Sequence, residues 1–399
     1  MHIYSPKFYI EINKTELKFI VVSNNKEESK FDIIFNNTVM LKGISNYQIV
    51  DYDLIFNLLK ENIYKAEQQL KLVFKEVFIV IDNFNFSIIN YTGFKKLNGS
   101  QLLKENITYL LNSLKLKVNE TENDKSIVHI FNIRYQLDNK EVENLPIGLF
   151  GNFYCHELSF FLINSNDLKN IKNILNRCNL RVKKIISKNF LEGTKIINDN
   201  PNLASFFKIE INIYNSKILY FENSALKFSQ DFEFGSDIIY KDLSKITGFK
   251  YENVKKILSK TNFSNENLKD QYVEKNFFEN QNFRKVSKKT LLDIANARVQ
   301  EMLEIIFLDN INLLKFLDKN HKIFINLSDD LCKNSFSKLF EQFFLIRKKI
   351  SPNFLDKKTC ESFYLNASNI VQYGWKKEAV PIIQEKKSIF AKIFELISR

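Results

Sequence analysis

The chain has 399 residues, a formal net charge of +12, and only 9 Gly and 5 Pro. That length suits two large domains or one bilobed one around a sizeable core. No run approaches the roughly twenty uninterrupted apolar residues of a spanning helix, and Met1 to Phe8 carries no signal-peptide pattern, so the expected place is the cytosol or a membrane surface.

Three strand-like runs open the chain, at 7–12, 17–23 and 31–41, and a helix at 54–70 follows, opened by Asp53. An α/β segment then spans 77–165, with strands expected at 77–82, 127–137 and 157–163 and a helix at 102–114. Next come a helix at 167–178 and a strand at 182–187. Three strand-like runs reappear between 206 and 232, helices follow, and a long helix at 291–316 leads to a strand at 323–327. Helices at 336–344 and 360–372 precede a charged stretch, 376–387, which carries Pro381 and reads as a tether.

The last residues, 388–399, read Ser-Ile-Phe-Ala-Lys-Ile-Phe-Glu-Leu-Ile-Ser-Arg. At helical spacing Ile389, Phe390, Ile393, Phe394, Leu396 and Ile397 share one face, and Lys392, Glu395, Ser398 and Arg399 the other. A tethered amphipathic helix of this kind lies on a bilayer surface; docking into the core is the alternative. Six large apolar side chains at about 1 kcal/mol each give roughly 6 kcal/mol before ordering costs. That holds a monomer weakly, so self-association is the natural companion expectation.

The basic residues occur in scattered pairs such as Lys183-Lys184, Lys255-Lys256 and Lys348-Lys349, in a chain rich in Lys, Asn, Ile and Phe. AT-rich coding accounts for that pattern better than a nucleic-acid partner does, and attraction to an anionic inner membrane fits it too. Cys155, Cys178, Cys332 and Cys360 show no C-x-x-C spacing, and His2, His129, His156 and His321 show no metal-ligand spacing. Cys155 and His156 are neighbours on an expected strand and point to opposite faces. Neither a metal site nor a catalytic nucleophile is expected.

Meander, helix and strand, followed by the same order again, is a duplicated α/β layout. Ile10-Glu11-Ile12-Asn13 in the first meander is echoed by Ile209-Glu210-Ile211-Asn212 in the second. At this point the chain resembles the FtsA family of bacterial cell-division proteins, within the actin superfamily. The family's His-bearing aliphatic strand, Tyr-x-x-Asp and Asn-x-Pro-aliphatic-Gly-x-x-Gly correspond to His129, Tyr135-Gln136-Leu137-Asp138 and the run Asn144 to Gly151. The helix from Asn170-Ile171 through Arg177, then Leu180 and Val182, the Ala297-Arg298-Val299-Gln300-Glu301 stretch, and the amphipathic tail also resemble family features.

The resemblance implies an α/β, actin-like bilobed fold of duplicated mixed-sheet domains, with an inserted FtsA-type α/β subdomain and the C-terminal amphipathic helix. The expected division is a first lobe at 1–76 and 166–200, the inserted subdomain at 77–165, and a second lobe at 201–375 with a small subdomain at about 235–285. The tether at 376–387 and the membrane-targeting helix at 388–399 complete it.

Actin-like ATPases hold phosphates in two hairpin turns of the Asp-x-Gly-Ser/Thr kind, where Gly lets amides close on the anion. Here the turns read Glu11-Ile12-Asn13-Lys14-Thr15 and Glu210-Ile211-Asn212-Ile213-Tyr214. The family's later Gly-Gly is replaced by Leu327-Ser328, followed by Asp329-Asp330, whose charges repel a triphosphate. By resemblance, Asn13, Thr15, Asn212, Gly235, Glu252 and Lys255 form a degenerate ATP site, near Gly235-Ser236-Asp237 and Asp242. The implied cofactor is ATP with Mg, bound weakly at most and not hydrolysed; catalytic residues and metal ligands are assigned to none.

The resemblance further implies an adaptor that anchors FtsZ to the cytoplasmic face of the inner membrane at the septum and associates with itself. Its FtsZ-tail site falls in the small subdomain, where Lys250, Lys255, Lys256 and Lys260 suit an acidic peptide; other division proteins are further candidate partners, and nucleic acid is not. An actin-fold ATPase of sugar-kinase or chaperone type, and a pilus-assembly or scaffold relative, are the alternatives.

Overall fold

The computed structural model describes residues 6–13, 15–25, 30–41, 43–45, 48–82, 86–261, 263, 270–278, 285–317, 321–356 and 363–379. The chain divides into two units, one made of Met1–Asn202, Glu222–Lys227 and Ser362–Arg399, the other of Leu203–Phe221 and Phe228–Glu361.

The first unit opens with β1 (Lys7–Ile12), β2 (Glu16–Asn25) and β3 (Lys30–Met40), a two-residue pair β4 (Ile44–Ser45) and β5 (Gln48–Ile49), then α1 (Tyr52–Leu70) and β6 (Glu76–Ile81). It continues through β7 (Phe86–Lys96), α2 (Lys104–Thr121), β8 (Lys125–Leu137), β9 (Lys140–Val142), β10 (Phe153–Asn164), α3 (Ser165–Arg177), β11 (Arg181–Ser187) and α4 (Lys188–Asp199). Its main sheet has the order β11-β6-β1-β2-β3. Phe8, Ile10 and Ile12 pack with the buried Ile55, Leu59 and Ile63 of α1 and Ile171 and Ile174 of α3. Tyr9 and Glu11, pointing the other way as strand alternation requires, meet the C-terminal helix Phe363–Tyr373: Tyr9 Oη lies 2.9 Å from Ser368 Oγ. A second, all-antiparallel sheet, β7-β10-β8-β9, carries α2 on one face through Ile107, Leu110, Leu111, Leu114 and Val118. Each such fully buried aliphatic side chain contributes about 1.5–3 kcal/mol.

The second unit's sheet has the order β14-β13-β12-β15-β16, from β12 (Phe206–Ile211), β13 (Ser216–Glu222), β14 (Ala225–Phe232), β15 (Lys322–Leu327) and β16 (Asn353–Phe354). Helices α5 (Asp237–Thr247), α6 (Tyr251–Lys260), α7 (Lys288–Leu303) and α8 (Asp330–Lys348) share one apolar core with it, Ile239, Leu243, Val254, Ala295, Val299 and Phe340 among the buried side chains.

The two main sheets repeat each other down to single hydrogen bonds. Ile12 pairs with Leu17 and Ile211 with Ser216, each closing a hairpin between antiparallel strands. The Asn13 N–H donates to the Glu16 carbonyl at 3.1 Å, and the Asn212 N–H to the Asn215 carbonyl at 2.9 Å. Each first strand also takes a parallel partner, β6 for β1 and β15 for β12, and the residue after that partner donates back: Asp82 N–H to Ile12 O and Ser328 N–H to Ile211 O, both at 3.1 Å. The Ile-Glu-Ile-Asn echo therefore occupies one structural position twice. This is the duplicated α/β architecture of the actin-like fold.

Several expectations change. The strand placed in the inserted segment at 77–82 is β6, a central strand of the main sheet buried on both faces, so the second sheet starts at Phe86. Strand β7 was not expected; Gly93 within it lies under α2, where a Cβ would stand 2.3 Å from Leu110 Cδ2. Asp51, not Asp53, caps α1, accepting from Leu54 N–H at 2.9 Å. Helices α2 and α8 outrun the expected 102–114 and 336–344. The long helix expected at 291–316 stops early: α7 passes into a π-turn at Glu304–Leu308, and the Asn310 side chain takes the Ile306 carbonyl at 3.0 Å. The helix expected at 360–372 is Phe363–Tyr373, and it belongs to the first unit rather than to a lobe running to 375. Its Asn366 donates to Thr194 Oγ1 of α4 at 2.7 Å. The stretch read as a tether begins docked, since Lys377–Ala379 pairs with β8. Residues 380–399, with the amphipathic face of Ile389, Phe390, Ile393, Phe394, Leu396 and Ile397, lie outside the described residues.

Candidate functional site

In the first unit the side chain that replaces the turn's Asp is Glu11. It is fully buried, and Lys188 at the start of α4 meets it: Lys188 Nζ donates to Glu11 Oε1 at 3.0 Å and to Asp82 Oδ2 at 2.7 Å. Tyr364 Oη of the C-terminal helix donates to Glu11 Oε2, and Lys18 Nζ stands 3.9 Å from Glu11 Oε1. Burial pushes the Tyr364 hydroxyl well above its usual pKa, and the Glu11 charge beside it adds to this, so it remains a donor. Asn13 Nδ2 lies 3.4 Å from Asp82 Oδ2, whereas Thr15 is exposed. Lys188 thus bridges two buried carboxylates, while Lys18, half-buried, is paired more closely with Glu16 at 2.9 Å. A carboxylate saturated this way has lost the lone pairs with which it would orient a metal's water shell.

In the second unit the equivalent turn is closed from within by a different device. The N–H groups of Ser236 and Asp237, at the start of α5, donate to the carbonyls of Asn212 and Ile213, both at 2.9 Å. Gly235 is required by that approach, because a Cβ there would lie 2.1 Å from the Asn212 carbonyl oxygen. Asp329 caps α8 through Leu331 N–H at 3.0 Å and accepts from Ser236 Oγ at 2.7 Å and Tyr240 Oη at 2.6 Å. Burial, with the hydrogen bond to the charged Asp329 carboxylate, raises the Tyr240 hydroxyl, which keeps it a donor. The amides and helix termini that would meet an anion are here turned to the chain's own oxygens.

Of the sequence-derived residues, Asn212 and Gly235 meet directly. Lys255 joins the same neighbourhood: its Nζ sits 4.5 Å over the Tyr251 ring, and Tyr251 Oη donates to Asp237. For the Asp237 carboxyl, burial opposes ionisation, but hydrogen bonds from Lys241 and Tyr251 outweigh it and hold the pKa low. Glu252, one turn before Lys255, is exposed. Lys250, Lys256 and Lys260 are also exposed, on and before α6. Asp242 pairs with Arg298. The sequence reading missed Lys188, Tyr364, Asp82 and Tyr240. Lys188 and Tyr364 lie 177 and 353 positions from Glu11, and no local motif marks either. Among the described residues no group of His, Cys, Asp and Glu is placed to hold a metal, and no helix is long and apolar enough to cross a membrane.

No family model matches the chain. A cell division protein FtsA of Buchnera aphidicola subsp. Acyrthosiphon pisum (strain APS) is 22% identical over 385 residues, covering 92% of this chain and 90% of that protein. The same-named protein of Buchnera aphidicola subsp. Baizongia pistaciae (strain Bp) is 20% identical over 286 residues, covering 70% and 67%. A solved structure of a PilM–PilN type IV pilus biogenesis complex shares the fold, with a TM-score of 0.56 at 7% identity over 92% of this chain and 98% of that one. In its duplicated hairpins and actin-like sheets the chain keeps the expected fold, and over nine-tenths of its length it is similar, as a divergent relative, to a cell division protein FtsA.

Proposed function

We propose that this chain is a non-catalytic, actin-like adaptor of cell division, which holds FtsZ to the cytoplasmic face of the inner membrane at the septum and associates with itself. The observation that carries this reading is the internal pairing of these groups: Lys188 and Tyr364 on Glu11 at the first turn, the α5 amides on the Asn212 and Ile213 carbonyls at the second, and Ser236, Tyr240 and the α8 terminus on Asp329. Chemistry on a bound triphosphate needs those groups free. An adaptor needs only the fold. In this reading the face Ile389, Phe390, Ile393, Phe394, Leu396 and Ile397 is the membrane anchor. The FtsZ tail peptide docks on the small subdomain at about 235–285, with Lys250, Lys256 and Lys260 meeting its acidic residues and Lys255 partly spent on Tyr251.

The test is vesicle co-sedimentation with the organism's FtsZ, using the full chain and a version ending at Lys387. FtsZ should pellet with vesicles only in the presence of the full chain. Equal behaviour of the two versions rejects the anchor, and FtsZ left in solution beside a pelleted chain rejects the adaptor role.

A further inference from the structure

Within the first unit the inserted sheet and the main sheet meet along a seam, which the chain crosses between β6 and β7 and again from Asn164 to Ser165. On the apolar side of the seam Phe131 of β8 packs against Phe190 of α4, ring centroids 4.8 Å apart, and Trp375 meets the same ring edge-on at 6.2 Å. On the polar side His129 of β8 accepts the Ser187 N–H of β11 at Nε2, at 3.2 Å. That leaves Nδ1 to carry the ring proton, which it donates to Glu378 Oε1 at 2.8 Å. Lys184 of β11 donates to the other carboxylate oxygen, Oε2, at 2.9 Å. Glu378 therefore takes one partner from each sheet.

The segment that supplies Glu378 touches β8 lightly. Glu378 lies opposite Phe131 in an antiparallel bridge, with Asn132 N–H donating to Lys377 O and Ala379 N–H to Ile130 O, both at 2.7 Å. Beside the bridge a cleft of about 640 Å³ is walled by Ile127 and Val128 of β8 on one side and by Ile370, Val371 and Trp375 on the other. The C-terminal helix before it is held independently, by Asn366 on Thr194 at 2.7 Å and Ser368 on Tyr9 at 2.9 Å. We propose that Lys377–Ala379 is a latch: paired with β8 it fixes the inserted sheet against the main sheet, and when it parts the inserted sheet moves as a body on its two crossings. Parting breaks two backbone hydrogen bonds and the partners of one carboxylate, while the ladders of β10 to β7 and β8 stay whole. Local opening takes the least-held contacts first. The Ser126 and Ser165 hydroxyls, 2.8 Å apart, keep the second crossing pinned. In sequence the latch stands between the fold and the amphipathic stretch 388–399, so a pull on that stretch reaches Ala379 before it reaches the core. This goes beyond the adaptor reading and does not rest on it, since the latch holds or parts without a membrane.

Two measurements on the full chain, in solution without vesicles, test the latch. Spin labels on Tyr64→Cys of α1 and Tyr109→Cys of α2, both exposed positions, report the distance from the main lobe to the inserted sheet, with Cys178 and Cys360 replaced by Ser. One narrow distance is expected for the parent. A broadened or second distance is expected for Glu378→Ala and for Ala379→Pro, which removes the N–H that bonds Ile130 O. Hydrogen exchange, read by mass spectrometry with fragmentation to single residues, follows the Ser187 amide, which His129 holds across the seam. It should exchange about tenfold faster in both variants, while the amides of β10 and β1 hold their rates. An unchanged single distance in both variants overturns the proposal, because loosening around His129 alone does not move the sheet. Faster exchange throughout β10 overturns it too, since the inserted sheet then unfolds instead of swinging. If Ala379→Pro loses protection in every strand, Glu378→Ala, which leaves the backbone intact, decides. Failure of the chain to bring FtsZ down with vesicles counts against the adaptor reading and changes neither readout.

Discussion

Replacing Lys188 by Ala separates a structural cluster from a ligand site by the sign of its effect. The lysine lies 3.0 Å from Glu11 and 2.7 Å from Asp82, with side-chain exposures of 17%, 0% and 9% in that order. At an effective dielectric of about 20, each contact is a gross attraction of roughly 5–6 kcal/mol, most of it offset by desolvation. Removing the cation leaves two buried carboxylates with the Tyr364 hydroxyl, the Asn13 amide and Lys18 at 3.9 Å. Breaking a buried pair costs about 3–5 kcal/mol, and the partial exposure of Lys188 argues for the lower end, about 3. Trp375 is the chain's one tryptophan, is buried, and donates from Nε1 to Ser224 O within the first unit, so its fluorescence follows that unit alone. With an m-value near 3 kcal/mol/M, the urea midpoint read by Trp375 should fall by about 1 M. Lys188→Met combined with Glu11→Gln should recover part of the loss, because both charges go together. A side chain kept for a ligand behaves oppositely, since functional groups are usually held at a cost in stability. An unchanged or higher midpoint for Lys188→Ala, together with weakened ATP binding, would refute the structural reading.

Gly235→Ala forces a Cβ to within 2.1 Å of the Asn212 carbonyl and should cost about 3 kcal/mol or more, seen as an early urea transition by circular dichroism. Asp329→Ala removes the α8 cap and the acceptor of Ser236 and Tyr240; a loss of about 2 kcal/mol is expected, with no gain of nucleotide binding in a fluorescent-ATP titration. For Glu378, burial opposes ionisation, but the hydrogen bond with His129 Nδ1 and the charge and hydrogen bond of Lys184 win and pull the carboxyl from 4.5 to about 2. Its stabilisation is therefore complete above pH 4.5 and drains away as pH falls towards 2, about 3 kcal/mol in all. Glu378→Gln should lower the Trp375-monitored midpoint at pH 7 and flatten its fall between pH 4.5 and 3; parallel curves for the two proteins would exclude this linkage.

The parts legible in the sequence were those written in local pattern. Both meanders show as alternating apolar runs, and the Ile-Glu-Ile-Asn echo marks a hairpin whose register and closing hydrogen bonds recur in each unit. Strand β6 was misplaced because sequence order puts it beside the inserted sheet, while its parallel pairing with β1 is non-local. Strand β7 escaped notice because Phe86–Lys96 mixes aromatic, polar and Gly residues, and the reason for Gly93 is Leu110 on a helix above it. In the site, the Asp-to-Glu change at Glu11 was visible, but its consequence was not. The groups that neutralise Glu11 come from a helix start and from a C-terminal helix that pattern alone assigned to the other lobe.

Erosion of a phosphate site leaves a physical debt, since turns shaped around anions present carboxylates, amides and helix termini that need partners. The first unit meets it with Lys188 and Tyr364 on Glu11; the second turns carbonyls to the α5 amides and caps α8 with Asp329. A fold closed in this way should gain little stability from nucleotide. Ligand stabilisation follows RT ln(1 + [L]/Kd), so about 5 mM MgATP acting at a Kd near 5 mM adds only about 0.4 kcal/mol, whereas a Kd near 50 µM adds about 2.7. For units of this size that is the difference between roughly 1 °C and 5–10 °C in melting temperature. A thermal melt with and without MgATP should therefore differ by about 1 °C or less. A rise of 5 °C or more would mean that Glu11 and Asp329 release their internal partners for a ligand, and the ion pairs described above would then be a resting state of a working nucleotide site.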